Sequence, residues 1–141
     1  MICLGVDHGQ KRVGIALGQG ELAIGLKTID RVEAVNEILI VAKEKNATRI
    51  YVGKPSSLSG QDTKSTLDAR DFAVEVQSKT AIPVFLIDER FTSAQSQKNL
   101  REVGHSAKSG KHAIDAESAR LIVEQAIACN HNCGESVSTN A

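Results

Sequence analysis

Two short apolar runs open the chain, residues 2 to 7 (ICLGVD) and 13 to 17 (VGIAL). The five residues between them, HGQKR, carry the glycine and polar side chains of a tight turn. These features dictate an antiparallel β-hairpin. A third strand over residues 22 to 29 (LAIGLKTI) follows the Gly18-Gln19-Gly20 turn, so the chain begins with three strands in a row. Asp7 interrupts this apolar start at the end of the first strand, with Gly9, Lys11 and Arg12 beside it.

Downstream the pattern changes period. Asp30 is a suitable N-cap for a helix over residues 31 to 45, in which Val32, Val35, Ile38, Leu39 and Ala42 recur at helical spacing. A strand over 49 to 54 (RIYVGK) stops at Pro55, a polar loop covers 55 to 62, and a second helix runs from about 63 to 79. Residues 84 to 88 (VFLID) form a continuous apolar run of the kind found in a strand covered on both faces. Thr92 or Ser93 can cap a third helix that Gly104 ends, and the loop HSAKSGKH leads to a last helix carrying Ile114, Ala119, Leu121, Ile122 and Ala126.

The order β-β-β-α-β-α-β-α-α predicts an α/β fold with a five-stranded mixed sheet: an antiparallel three-strand meander joined to two parallel strands and flanked by helices. With no repeat, linker or low-complexity block, the 141 residues read as one domain over 1 to 128 and a flexible tail over 129 to 141. The loops at 55 to 62 and 104 to 112 are the other segments expected to move.

Seventeen basic residues balance seventeen acidic ones, so any attraction to nucleic acid must be local, and 3% aromatic content argues against base stacking as the main mode of recognition. No apolar run is long enough to span a bilayer, and the start MICLGVDHG is too short and too soon acidic for a signal peptide; a cytoplasmic protein is expected. Cys3 falls in a buried strand, where a reduced thiol acts as a small hydrophobe. Cys129, His131 and Cys133 in the tail are three soft ligands, fewer than a closed zinc site uses, and a frayed tail is the better reading.

Acids fall at three places where patterning alone would not put them: Asp7, the Asp88-Glu89 pair after the fifth strand, and Asp115 near the start of the last helix. Strand ends from distant sequence meet at one edge of an α/β sheet, and carboxylates gathered there repel one another unless a cation lies between them. A hard divalent ion such as Mg²⁺ or Mn²⁺ suits few carboxylates, water and phosphate oxygens, which points to phosphodiester hydrolysis. Asp115 taken alone would serve equally well as an acid favouring the helix dipole. Asp88 and Glu89 alternate faces, so one of them points elsewhere; Glu89, whose longer side chain reaches past the strand end, is favoured over Asp88.

The segments GVDHGQKRVGIAL, YVGKPSSLSGQ, LIDERFTS and SGKHAIDAESARLIVEQAI, in this order and at these spacings, resemble the YqgF or RuvX family over residues 2 to 128. Members of that family are described as Holliday-junction resolvases and pre-16S rRNA nucleases with a ribonuclease H-like fold. The resemblance implies a divalent-metal-dependent endonuclease with Asp7, Glu89 and Asp115 as its catalytic and metal-binding acids. It also implies phosphate contacts from Lys11, Arg12, Lys54, Ser56, Arg90, Lys108 and Lys111. Lys54 and the Ser56-Ser57 pair depart from the family pattern, as does the thin basic run before the last helix.

The implied partner is structured RNA or branched DNA, bound by a monomer or weak homodimer. Two other classes compete: a non-catalytic binding module on the same fold, and an actin-like nucleotide-binding domain, for which a β-hairpin with Asp-x-Gly also qualifies. The second needs two such domains and leaves the Asp-Glu-Arg motif unexplained.

Overall fold

The opening hairpin forms as its sequence dictates. β1 (Ile2–His8) and β2 (Arg12–Gln19) pair antiparallel, and the Gly9 N–H donates to the Arg12 carbonyl at 3.0 Å to close the turn. A side chain at Gly9 would begin 2.6 Å from that same carbonyl oxygen, which accounts for the glycine. The computed structural model describes residues 1–54, 64–88, 107–132 and 134–137, with the side chains at 65 and 107–115 outside the description.

β3 (Leu22–Asp30) continues the meander, α1 (Arg31–Lys45) crosses back, and β4 (Arg49–Lys54) pairs parallel with β1. α2 (Lys64–Ser78) then leads to β5 (Val84–Asp88), parallel to β4, and α3 (Ala107–Ala128) covers the other side of the sheet. The expected helix capped by Thr92 or Ser93 lies outside the described residues.

The sheet has six strands, in the order β3-β2-β1-β4-β5-β6, where five were expected. The sixth, β6 (Glu135–Ser136), comes from the segment read as a free tail and pairs antiparallel with β5. Its hold comes from packing as well as pairing: Val137 is buried in the core under α1 and α2, and its N–H donates to the Val84 carbonyl. A two-residue strand leaves no periodicity to read.

Alternation along the strands builds two cores. Leu4, Val6, Val13, Ile15, Ile50 and Leu86 face α1 and α2, while Cys3, Ala16, Tyr51 and Ile87 face α3. β5 is thus covered on both faces, as its apolar run predicted. Cys3 is a free, buried thiol whose pKa burial pushes up to about 11, in keeping with its reading as a small hydrophobe.

Three local expectations are corrected. Asp30 stands at the N-cap of α1 but makes no side-chain cap; instead the Arg31 N–H donates to the Lys11 carbonyl of the hairpin turn. Val32 is exposed, because the buried stripe of α1 runs through Ala34, Ile38, Val41 and Ala42. Residues 107 to 112, expected in a loop, are the first turns of α3; Gly110 costs a helix interior only about 1 kcal/mol, and extending an existing helix needs no new nucleus.

Candidate active site

Asp7 is the next-to-last residue of β1, half-buried, on the face that looks toward α3. The same alternation sends His8 to the other face, where its ring lies 4.5 Å from that of Phe72 on α2. His8 Nε2 is buried without a hydrogen-bond partner among the described residues, and burial, helped by the charge of Arg31 and opposed by Asp68, lowers its pKa to about 4. The imidazole is therefore neutral at physiological pH and acts as packing for the strand end that presents Asp7.

On the face of Asp7, α3 is held very close to the sheet. A Cβ at Gly5 would fall 2.6 Å from the Ala119 carbonyl oxygen and against the Val123 side chain, so only glycine lets α3 rest directly on β1. Gly18, paired with Cys3, also meets Val123, so numbering along β1 rises as numbering along α3 falls. One turn before Ala119 is position 115, and two residues beyond Gly5 on the same face is Asp7. A helical turn of about 5.4 Å keeps pace with two strand residues at about 6.6 Å, but Gly25, two strands away in the row of Gly5, meets Ala116, so going back from Ala119 the helix also crosses toward β3.

Position 115 is also the ninth residue of α3. Interaction with a helix dipole is confined to the first turn, which removes the capping explanation for an acid there. The side chain of Asp115, and Glu89, Arg90 and Ser56 altogether, lie outside the described residues, as do the side chains of Lys108 and Lys111. Among the described residues no three metal-ligating side chains cluster. Asp88 shares its face with Val84 and Leu86, turned toward α1 and α2 and away from the face of Asp7.

The described cations do not share one face. Lys11 is exposed in the hairpin turn, where it lines an open cleft of about 580 Å³ with Gln10, Asp30, Arg31 and Val32. Alternation places Arg12 on the α3 face with Asp7. Lys54 ends β4 at the same edge of the sheet but on the α2 face, where Glu135 bridges it to Arg70. Neither Arg70 nor Glu135 carried a sequence signal, although strand parity from Ile50 would have placed Lys54 on the α2 side.

A family model described as "RuvX: Holliday junction resolvase" matches residues 1–128. The chain belongs to the RuvX family. Among its relatives is a "Putative pre-16S rRNA nuclease" of Clavibacter michiganensis subsp. michiganensis, 36% identical over 137 residues that cover 93% of this chain and 85% of that protein. Another protein of the same description, from Koribacter versatilis, is 39% identical over 126 residues, covering 86% and 82%. The solved structure of T. thermophilus RuvC in complex with Holliday junction substrate superposes with a TM-score of 0.61, covering 96% of this chain and 99% of that one. At 12% identity that likeness bears on the fold alone, and it agrees with the ribonuclease H-like mixed sheet.

Membership in RuvX makes this chain a nuclease. The RuvX match ends at 128, the last residue of α3, so β6 lies beyond the matched region. No helix among the described residues is long and apolar enough to cross a membrane.

Proposed function

We propose that this RuvX-family chain is a divalent-metal-dependent endonuclease acting on structured nucleic acid, in 5′-end processing of precursor 16S rRNA, in Holliday-junction resolution, or in both. The observation that supports the reading is a half-buried acid, Asp7, at the end of a central strand on the face that α3 covers. Asp7, Glu89 and Asp115 are the acids of the site. Their donors are carboxylate oxygens without sulfur or imidazole, and Asp7 is half-buried, which fits Mg²⁺ or Mn²⁺. When bound, the metal lowers the pKa of an attacking water and neutralises charge on the phosphate.

The chain's own residues do the rest. Asp7 is fixed by a strand at the centre of the sheet and by His8 packed behind it, so its carboxylate needs little reorganisation. Lys11 and Arg12, beside it in the hairpin, position a phosphodiester backbone without reading bases. Such a protein works in the cytoplasm, as a monomer or weak homodimer.

The test is cleavage of a precursor 16S rRNA fragment, a four-way DNA junction and single-stranded DNA in Mg²⁺ or Mn²⁺. Asp7→Asn and Asp115→Asn should each lose about a hundredfold or more in rate, on the order of 3 kcal/mol of barrier, with circular dichroism unchanged. Equal cleavage by wild type and both variants would overturn the assignment of these acids.

A further inference from the structure

After α3 the chain reverses at Asn130 and His131, both with positive φ, and returns along β5 as a strap. The strap is anchored at its start, where the His131 carbonyl accepts a bond from Arg49 at 2.9 Å and its Nδ1 lies 2.7 Å from the Tyr51 hydroxyl. Burial of Val137 anchors its far end. Between these anchors Glu135 is held over two cations from separate elements. One carboxylate oxygen is 3.1 Å from Nη1 of Arg70 on α2, and the other is 3.4 Å from Nζ of Lys54 on β4.

This is the arrangement in which two cations grip two oxygens of one anion, and here the anion belongs to the chain itself. Burial of the Glu135 carboxyl is outweighed by Arg70 and Lys54, which hold its pKa below the ordinary value. Yet the carboxylate is about half exposed, and ion pairs of that kind are worth about 1 kcal/mol or less, so another anion can replace it. Arg70 has Thr66, Leu67, Ala73 and Val74 at helical spacing and no acid among them, so release of Glu135 leaves its charge uncompensated within α2, while Lys54 keeps its register partner Asp88 on the same face. Lys54 ends its strand at the same sheet edge as Asp7, one strand away and on the opposite face.

We propose that Lys54 and Arg70 form a binding site for a backbone phosphate of the nucleic-acid substrate, and that Glu135 of the C-terminal strap closes this site as a built-in competitor. The inference rests on the nuclease reading above. It adds a residue to substrate binding, Arg70, and gives a segment beyond the family match a regulatory task.

The test is binding of a labelled RNA stem–loop and of a labelled four-way DNA junction to the full chain in EDTA, followed by fluorescence anisotropy across a salt series. Metal-free conditions separate binding from cleavage. Glu135→Gln should tighten binding about threefold or more at about 50 mM salt and steepen the dependence of log Kd on log salt by about one to two. Glu135→Gln combined with Arg70→Gln should lose that gain. Glu44→Gln, which removes the same charge at the far end of α1, is the control for net charge. Binding by wild type with Glu135→Gln indistinguishable from Glu44→Gln would overturn the strap's role and leave the nuclease reading standing. Failure of every variant to bind either nucleic acid would overturn both.

Discussion

Toward α1 and α2 the strands present branched side chains such as Leu4, Val6, Ile15, Ile50 and Val52, whereas toward α3 the first two strands present Cys3, Gly5, Ala16 and Gly18. One face is filled by side-chain volume, and the other is emptied so that a helix backbone can approach. The difference teaches how this fold builds a site at a strand end. Bulk on one face fixes β1, and the missing bulk on the other lets the backbone of α3 rest directly on the face that carries Asp7.

The strongest way to break this comparison is to put volume where it is missing. Gly5→Ala adds a single carbon, but that carbon meets backbone at Ala119, which cannot rotate away, and a loss of about 3 kcal/mol in urea unfolding is expected. Ile50→Val, on the filled face, removes one methylene and should cost about 1 kcal/mol. If the glycine change proved the milder of the two, the close approach of α3 would not be what shapes this face.

His8 sharpens the comparison through pH. Its imidazole resists protonation down to about 4, while the unfolded chain takes up that proton near 6.5. Between those values the unfolded state binds more protons, so the stabilising contribution is full above 6.5 and is lost as pH falls toward 4. His8→Phe keeps a ring against Phe72 and should flatten the stability profile over that window; an unchanged slope would mean that another group causes it. The smallest effect belongs to the tail. Tyr51→Phe removes one hydroxyl from His131 and should lower stability by about 1 kcal/mol, with early loss of amide protection at Val137.

Much of this architecture was legible in the residues. The apolar runs bounded by Gly9, Gly20 and Pro55 marked β1, β2 and β4, because buried strands need continuous apolar side chains and their ends need turn formers. The strand VFLID and the span of α1 were equally plain. What escaped depends on tertiary context. Ser109 and Gly110 look like loop residues until a helix already packed on the sheet extends through them, and Glu135 looks solvated until Arg70, 65 positions away, is placed beside it. Asp7 was legible as an interruption in a pattern. That Asp88 faces away from it follows from strand parity, which becomes useful only once Leu86 is known to lie under α2.

The two-residue strand β6 has a consequence for how the molecule behaves in a crowd. A sheet ends in rows of unsatisfied amide and carbonyl groups that invite pairing with any extended chain nearby. Glu135 and Ser136 cover that row on β5 at Leu86 and Phe85. A chain cut after Ala128, at the limit of the family match, would keep every residue of the proposed nuclease site yet present an open, apolar strand to its neighbours. Its colloidal stability, as well as its grip on phosphate, would depend on the thirteen residues removed.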